Sequence, residues 1–391
     1  NAVIAPAAAR MKHGHDITVN RKRAKADAGG AMAKRDLVAQ GRVTLLDSGP
    51  GDAVQAIAAL DELVRLSRLD PDWSWRRCAV IARNWQQLEP VRAYAEALDL
   101  PVDLANESIP SLWRLREMQA FISDLLVDRK RLFAIPDLSM ILSAQPQNRW
   151  TNLIGEGLAT LARELADKAA PVPDLVQWFG EWARDARAAQ RGLLLLTAHR
   201  AKGLEFDHVV ILNGGWERPS RIEDLDAPRR LFYVAMTRAR ATLTIMTDGQ
   251  HPFAHHGDEA ILARRVMADT AILQRAQLRY VSPDPKLVDL SFPGRLADGH
   301  PSLAGIDAAG TGNAVQLVRD GNRWHIEDNQ GRILSRLSRA FAPPADTIFL
   351  RGQVAAVLNW RREDGNEEYA HLLRRDAWGV VLPELVFERA G

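Results

Sequence analysis

Short apolar runs alternate with amphipathic helices in two parts of the chain, and this alternation restricts the possible folds more than any other feature. The run RVTLL from Arg42 precedes a segment, Val54 to Leu66, in which apolar residues recur every three or four positions. The run CAVIA, which starts at Cys78, precedes a second such segment, and strand-like runs resume at LLLLT, HVVILN and TLTIM. Strands that alternate with helices form a parallel sheet covered by helices. The chain is therefore predicted to contain an α/β domain.

Two other parts of the chain have different residue patterns. Residues from about 106 to 190 have helical periodicity alone, and after about 279 short alternating segments are separated by turns such as Asp320-Gly321-Asn322. We expect a helical piece inserted in the α/β domain and a small β-rich domain at the C-terminus. The predicted division is a helical lead-in with a basic loop (1–41), an α/β domain (42–105 and 191–249), the helical insertion (106–190), a linker with a helix (250–281) and the β-rich domain (282–391).

Composition excludes several classes of protein. The 391 residues are 47% hydrophobic and 26% charged, which is ordinary for a globular protein and excludes a disordered or collagen-like chain. The single cysteine cannot form an internal disulfide, so a reducing compartment, the cytoplasm, is expected. The apolar runs are too short to cross a bilayer, and we expect no membrane partner. A formal net charge of +2 does not by itself indicate a polyanion partner.

A polar cluster follows the run LLLLT. Strand C-termini of open parallel sheets form the usual ligand edge, and this strand ends at Thr197. Hydroxyl and imidazole groups can contact phosphates, a glycine allows close backbone approach, and a carboxylate can accept a hydrogen bond from a ribose hydroxyl or a metal-bound water. An alternative remains that these residues cap a short helix and contact solvent. The cluster comprises Thr197, His199, Arg200, Lys202, Gly203 and Glu205.

A second cluster has helical spacing. Arg230, Val234 and Arg238 recur every four residues, with Tyr233 and Thr237 beside them. An arginine held on a helix can stabilise the charge that develops in phosphoryl transfer. From spacing alone, a solvated face of salt bridges is the favoured interpretation.

Both segments also resemble motifs of a known family. The string T-x-H-x-x-K-G-L-E, followed by an apolar strand, resembles motif V of the UvrD/Rep/PcrA helicases of superfamily 1, and RRLFYVAMTRAR resembles their motif VI. CAVIARNWQQLEPVRAYAEALDLPV resembles the strand and helix of motif IVa, with Arg83 and Asn84 at the turn. The arrangement is also similar to the UvrD-like C-terminal segment of some RecQ-like helicases.

The resemblance implies a fold and a set of roles. The α/β domain would be the second RecA-like motor domain, and the helical insertion a shortened 2B subdomain. Arg238 would be the arginine finger, Glu205 would contact the ribose or organise the metal, and Gly203 and Arg230 would lie at the nucleotide. Thr197 and His199, with Arg83 and Asn84, would contact single-stranded DNA. Lys202, Tyr233 and Thr237 would brace the motifs. Because Ala227-Pro228 stands where the family has acidic residues, we expect one bracing salt bridge to be absent.

The sequence lacks one part of a complete motor. No Gly-Lys dipeptide occurs, so there is no P-loop to hold the β- and γ-phosphates. The segment AIAALDE is not a Walker B strand, because its apolar residues continue at helical spacing through Val64 and Leu66. We therefore expect this chain to be inactive alone. ATP and Mg²⁺ would bind between it and an N-terminal helicase half, with single-stranded or duplex DNA as the other partner.

The resulting hypothesis is the C-terminal half of an ATP-dependent 3′–5′ DNA helicase, for which the family suggests DNA repair. Two alternatives are a non-catalytic helicase-like module that binds nucleic acid or protein, and the helicase part of a helicase-nuclease.

The C-terminal part of the sequence has no recognised metal-ligand spacing. His251, His255 and His256 are expected in an exposed loop without zinc. A strand-binding platform there could comprise Trp360, Arg361, Arg362, Arg374, Arg375 and Trp378, although barrel packing explains the tryptophans equally well.

Overall fold

The chain forms two compact units, Asn1–Asn106 with Gln190–Leu278 and Glu107–Ala189 with Arg279–Gly391. The computed structural model describes residues 30, 32–105, 111–166, 168–186, 190–217, 224, 226–249, 251–254, 261–267, 270–281 and 284–390. Residues 1–29, which contain most of the predicted lead-in and basic loop, lie outside the described residues. The helical insertion and the β-rich residues belong to the same unit, whereas the sequence suggested separate domains.

The first unit contains a seven-stranded sheet with the order β3-β6-β2-β7-β8-β1-β9. Its strands are β1 (Val43–Asp47), β2 (Cys78–Ala82), β3 (Val102–Leu104), β6 (Leu193–Thr197), β7 (Phe206–Ile211), β8 (Ala239–Thr247) and β9 (Ile261–Arg265). All of the pairs in this sheet are parallel. The predicted parallel α/β sheet is confirmed.

Within the described residues of this unit the chain forms four α-helices. They are α1 (Met32–Arg35), α2 (Asp52–Ser67), α3 (Glu89–Ala97) and α8 (Ala227–Met236). The predicted amphipathic spacing places Ile57, Leu60 and Leu63 in the core, each almost fully buried. One apolar cluster lies under α2 and α3, and another contains Phe232 of α8. The segment around Asp61 is helical, as its spacing predicted.

The prediction of a linker with a helix at 250–281 is wrong for its middle. Residues Ile261–Arg265 form the edge strand β9, which pairs in parallel with β1. Arg264 of this strand donates a hydrogen bond to Glu62 on α2 at 2.9 Å. The sequence ILARR alternates too little between apolar and polar residues to be recognised as a strand. Its partners, the strand β1 and Glu62 of α2, are both distant in the sequence. Residues Thr270–Ala276 then form a 3₁₀ helix.

The second unit combines helices with an antiparallel sheet. The helices are α4 (Arg116–Leu126), α5 (Ile135–Ser143), α6 (Arg149–Leu165), α7 (Val172–Asp185) and α9 (Pro301–Ala308), and a short pair of strands is formed by β4 (Leu132–Phe133) and β5 (Ala170–Pro171). The sheet has the order β10-β15-β14-β11-β12-β13. Its strands are β10 (Leu278–Val281), β11 (Ala314–Asp320), β12 (Arg323–Glu327), β13 (Ile333–Arg336), β14 (Thr347–Arg361) and β15 (Ala377–Arg389).

A single apolar cluster joins these helices to the sheet. It extends from Phe121 and Phe179 of the helices to Val357 and Val381 of β14 and β15. The Trp150 side chain donates a hydrogen bond to the backbone carbonyl of Ala355 at 2.9 Å. The amphipathic helices therefore bury their apolar faces against this sheet. Within the described ranges, no helix has the length and apolar character needed to cross a membrane.

Candidate functional site

The carboxyl ends of β2 and β6 bring together the residues predicted to contact DNA. Thr197 is in register with Ala82, so the segments that leave the two strands are neighbours. The Arg83 guanidinium lies 3.5 Å from the His199 imidazole, Nη1 to Nδ1, and the His199 side chain is exposed. A cation, an imidazole and a hydroxyl thus lie at the solvent-facing edge of a buried sheet, and these are groups that contact nucleic-acid phosphates.

The loop after β7 completes this edge. Gly214 and Gly215 have φ values of 110° and 71°, which side chains rarely adopt. The Gln87 amide donates to the carbonyls of Asn213 and Gly214 at 2.8 and 3.2 Å. The buried Gln55 side chain accepts from the Asn213 backbone N–H at 2.8 Å. Two glutamines that the sequence did not single out therefore fix the loop.

Asn84 is packed against the same loop. Its backbone N–H donates to the Gln87 side chain at 3.1 Å. A Cβ atom added to Gly215 would come within 3.2 Å of the Asn84 amide nitrogen. The absence of a side chain at this glycine thus allows Arg83 and Asn84 to lie close to the turn after β7.

The cluster that the sequence placed after Thr197 is divided between the two edges of the sheet. Thr197 ends β6, whereas Glu205 immediately precedes β7, which runs parallel to it. Residues 198–205 therefore return from the carboxyl edge to the amino edge. Lys202 is exposed, and Gly203 has φ +83° with open space around its Cβ position. Assigning the whole cluster to one ligand edge was wrong, because β7 runs parallel to β6 and the chain must return to the amino edge before β7 begins.

Glu205 at the amino edge pairs with an arginine that the sequence analysis missed. Arg240 donates from Nε and Nη2 to the same carboxylate oxygen of Glu205, at 2.8 and 2.6 Å. The two side chains are 62% and 52% exposed. Arg240 lies two residues beyond Arg238. No local sequence pattern distinguishes it from the other arginines of this segment. The carboxylate is thus accessible and held by a cation.

Arg238 lies beside this pair and points toward the protein. Its Nε, Nη1 and Nη2 atoms donate to Val234 O, Leu204 O and Thr237 Oγ1, each at 2.9 Å. Its carbonyl accepts from the Phe206 N–H at 2.8 Å. The spacing of Arg238 suggested a position on the helix. The helix α8 instead ends at Met236, so Arg238 lies in the turn before β8. The two polar segments are therefore joined at this edge.

The side chains along α8 have structural partners. Arg230 pairs with Asp224 at 2.9 Å, and both side chains are about half exposed. Arg229 lies 4.0 Å from Asp226. The expected absence of a bracing salt bridge was wrong, because carboxylates three and six residues upstream of the arginines replace those missing at Ala227-Pro228. Tyr233 packs against the cluster that contains Phe232.

Thr237 links the helix end to Arg238. Its hydroxyl donates to Val234 O at 2.8 Å and accepts from the Arg238 guanidinium at 2.9 Å.

His251, four residues beyond β8, is buried and not in the exposed position that the sequence suggested. Its Nδ1 accepts hydrogen bonds from the backbone N–H groups of Phe253 and Ala254. His255 and His256 lie outside the described residues. Among the described residues there is no group of three or more His, Cys, Asp and Glu side chains suited to a metal ion.

The fold and the two edge clusters define an α/β protein with an arginine and an imidazole at the carboxyl edge of one parallel sheet and a carboxylate–guanidinium pair at its amino edge. Residues 181–249, which contain both polar segments, match the family model of the UvrD-like helicase C-terminal domain. The chain thus contains a UvrD-like helicase C-terminal region.

A similar solved structure is the C-terminal domain of a possible DNA helicase from Lactobacillus plantarum WCFS1, with 15% identity, a TM-score of 0.29 and coverage of 57% of this chain and 84% of that chain. A comparison with curated proteins found no match.

Proposed function

We propose that this chain is the C-terminal part of an ATP-dependent DNA helicase that moves in the 3′ to 5′ direction. One observation carries the proposal: residues 204–206 and 238–240 bind each other at one sheet edge, within the segment that matches the UvrD-like family model. This edge holds the exposed carboxylate of Glu205 and the guanidinium of Arg238, which donates to the carbonyl of the preceding residue, Leu204. The unit would then be the second RecA-like domain of the motor.

The residues at the amino edge fit a nucleotide. An accessible carboxylate suits a ribose hydroxyl or a magnesium-bound water, and Arg238 can stabilise phosphate charge. Gly203, with its open Cβ position, permits close backbone approach, and Arg230 supplies an exposed guanidinium. Bound MgATP would supply the phosphoryl group whose transfer to water drives the motor. To reach a phosphate, Arg238 must exchange its three intramolecular hydrogen bonds for contacts with the nucleotide.

A second wall of the site is required. The sequence contains no Gly-Lys dipeptide, and the backbone cradle of a P-loop depends on that pair. In this proposal an N-terminal RecA-like domain supplies the P-loop and the remaining magnesium ligands. Closing of the two domains then presents Arg238 to the γ-phosphate, and reopening follows hydrolysis.

The carboxyl edge is the proposed DNA contact. Thr197, His199, Arg83 and Asn84 would contact the backbone of single-stranded DNA. The segment 198–205 joins this edge to Glu205, so movement at the nucleotide can change the grip on DNA through eight residues of chain. The family rule for polarity gives the proposed 3′ to 5′ direction.

The decisive experiment replaces Arg238 with Ala in the full-length protein. Loss of ATP turnover with retained oligonucleotide binding is expected, because the guanidinium acts on the nucleotide and lies at the opposite edge from the DNA contacts. Arg68→Ala removes an exposed arginine from α2's C-cap and should leave turnover unchanged. Unchanged turnover in Arg238→Ala would refute the finger assignment. A full-length protein that binds DNA without turnover would instead support the non-catalytic binding module.

The DNA edge has its own test. Arg83→Gln should weaken binding of a fluorescent single-stranded oligothymidylate by roughly tenfold at low salt, as expected for loss of one charge-assisted phosphate contact. The measurement is fluorescence anisotropy with this chain, and Arg68→Gln is the control. Equal affinities of the parent and Arg83→Gln would exclude Arg83 from the interface.

A further inference from the structure

The predicted platform in the second unit is not assembled from the residues that suggested it. Trp378 is 7% exposed, and its indole N–H donates to Leu290 O at 2.8 Å. Arg361, Arg362 and Arg375 pair with Glu363, Asp376 and Asp298. Trp378 is thus a packing residue, and most of these guanidinium groups are compensated by carboxylates.

A second group of arginines in the same unit has guanidinium groups that are poorly compensated by carboxylates. Arg336 at the end of β13 lies over the Phe292 ring, with 4.5 Å between its Cζ atom and the ring centroid. Its Nε atom is buried and has no hydrogen-bond partner. In the described part of the chain, Arg336 forms no side-chain hydrogen bond and no ion pair. Stacking on the ring therefore fixes a half-buried cation whose donors are unused.

Two further arginines flank this cation and share one carboxylate. Arg295 and Arg323 lie 2.5 and 3.8 Å from the same oxygen, Oδ2 of Asp289. The backbone N–H of Asp289 donates to Arg336 O at 2.7 Å, so this segment lies directly beside β13. His325, two residues after Arg323, is in register with Arg336 on β13. Arg323 and Arg336 therefore lie on one face of adjacent strands, and Arg295, which ends the 3₁₀ turn Pro293–Arg295, is joined to Arg323 through Asp289.

The local charge balance favours an anion at Arg336. Of the carboxylates in the described residues, Asp289 alone pairs with these arginines, and it is shared between Arg295 and Arg323. Asp320 and Glu327, on the hairpin of β11 and β12, influence His325, but neither pairs with Arg336. Burial, followed by the charge of Arg336, lowers the pKa of His325, and opposing effects of Asp320 and Glu327 do not reverse the shift. The imidazole is therefore neutral at neutral pH and can donate or accept a hydrogen bond there.

We propose that Arg336, Arg323 and Arg295 form a phosphate-binding site, and that its occupant is a phosphate of a nucleic-acid backbone. A planar guanidinium with free donors matches the geometry of phosphate oxygens. The site would extend nucleic-acid binding to the β-rich part of the chain, independently of the edge that contains Arg83. It is set by the packing of Phe292 and by the register of β12 and β13, so it is formed before the ligand arrives.

The test compares Arg336→Gln with the parent chain in binding a fluorescent single-stranded oligothymidylate. We expect roughly tenfold weaker binding at low salt and a salt dependence reduced by about one phosphate contact. Arg163→Gln, which removes an exposed arginine from α6 in the same unit, should have no effect. If Arg336→Gln unfolds, as judged by circular dichroism, Arg323→Gln is measured in its place. Parent-like affinity of the folded variant overturns the inference.

The result is distinguishable from failure of the proposed function. Weaker binding in Arg83→Gln with no change in Arg336→Gln overturns this site and leaves the DNA edge of the first unit standing. The opposite pattern supports this site and removes the Arg83 contact. Failure of the parent chain to bind the oligonucleotide overturns both.

Free phosphate is the other source of the same chemistry. In thermal unfolding at constant ionic strength, stabilisation of the parent but not of Arg336→Gln by inorganic phosphate would show that the site also accepts the free ion. Stabilisation by the oligonucleotide alone would restrict it to the polymer backbone. Either pattern supports the phosphate site, whereas equal responses of the parent and the variant overturn it.

Discussion

At the scale of single residues, Arg238 in the turn before β8 and Arg240 in β8 differ in accessibility. Arg238 uses its three nitrogen atoms on intramolecular acceptors, whereas Arg240 lies in an exposed ion pair. Solvent screens an exposed pair, so Arg240→Gln should change the free energy of unfolding by less than about 0.5 kcal/mol. Urea unfolding measures this. A much larger loss would show that the Glu205–Arg240 pair is structural rather than available to a ligand.

Two glycines near the candidate site separate conformational cost from steric cost. A Cβ at Gly214 would lie 2.5 Å from Gln87 Nε2, which is held by two carbonyls, whereas a Cβ at Gly203 meets open space. Both have positive φ. Gly203→Ala should cost about 1 kcal/mol, and Gly214→Ala about 1–3 kcal/mol more, because the Gln87 amide must move. Urea unfolding of the two variants gives the difference. Equal losses would contradict the clash.

The residue scale also shows what the sequence could predict. Thr197 and His199 lie at and just beyond the end of a buried strand, and this position predicted the edge at which they lie, whereas Arg83 was identified only through the resemblance to motif IVa. Arg240 and Gln87 could not be identified, because their importance depends on partners 35 and over 100 residues away. The spacing of neighbouring residues predicts helices and strands. Predicting which side chains pair across the sheet also requires the order and register of its strands.

At the scale of elements, a buried ion network holds α2 against its neighbours. Arg65 bonds to Asp36 and Glu62, which are 2% and 4% exposed, and Glu62 also bonds to Arg264 of β9. Arg65→Met would leave buried carboxylates partly uncompensated and should cost about 3–5 kcal/mol. Arg68→Met, on the exposed side, is the control and should change little. A loss below about 1 kcal/mol in Arg65→Met would show that the network is not stabilising.

The same network predicts a dependence on pH. Burial raises the pKa of Asp36, but hydrogen bonds from Arg65 and from the Ala39 backbone lower it by more, so the net pKa is below its usual value. A carboxyl group with a lowered pKa stabilises the fold above its unfolded pKa of about 4 and loses this contribution as pH falls through the folded value. The parent should therefore lose more stability than Arg65→Met between neutral pH and about pH 3. Parallel losses in urea unfolding at the two pH values would contradict this.

At the scale of the molecule, each unit has its own apolar core. The helices of the second unit share one cluster with its antiparallel sheet, and the first unit has separate clusters on its parallel sheet. The sequence predicted both sheets, since alternation and turns are local signals. It did not predict that the helical insertion and the β-rich residues form one unit, because that depends on contacts between segments about 200 residues apart, such as Trp150 with Ala355.

Cys78 provides a reporter for the first unit alone. It is the chain's single cysteine and lies fully buried in β2. Burial, with the charges of Asp207 and Asp70, raises the pKa of its thiol despite the opposing charge of Arg77, so the folded protein keeps it protonated and unreactive. Leu195→Ala, in the adjacent strand, should cost about 2–5 kcal/mol and accelerate modification of Cys78 by a thiol reagent at low urea.

Phe121→Ala is the matched change in the second unit, where the ring is fully buried. It should cost about 3–5 kcal/mol of that unit's stability, because it removes a large apolar side chain and leaves a cavity. The modification rate of Cys78 should nevertheless stay at the parent value, while near-ultraviolet circular dichroism shows loss of packing at lower urea. Since both variants lose comparable packing energy, their rates of thiol modification measure whether the units unfold independently. Equal acceleration by the two substitutions would mean that the units unfold as a single cooperative structure.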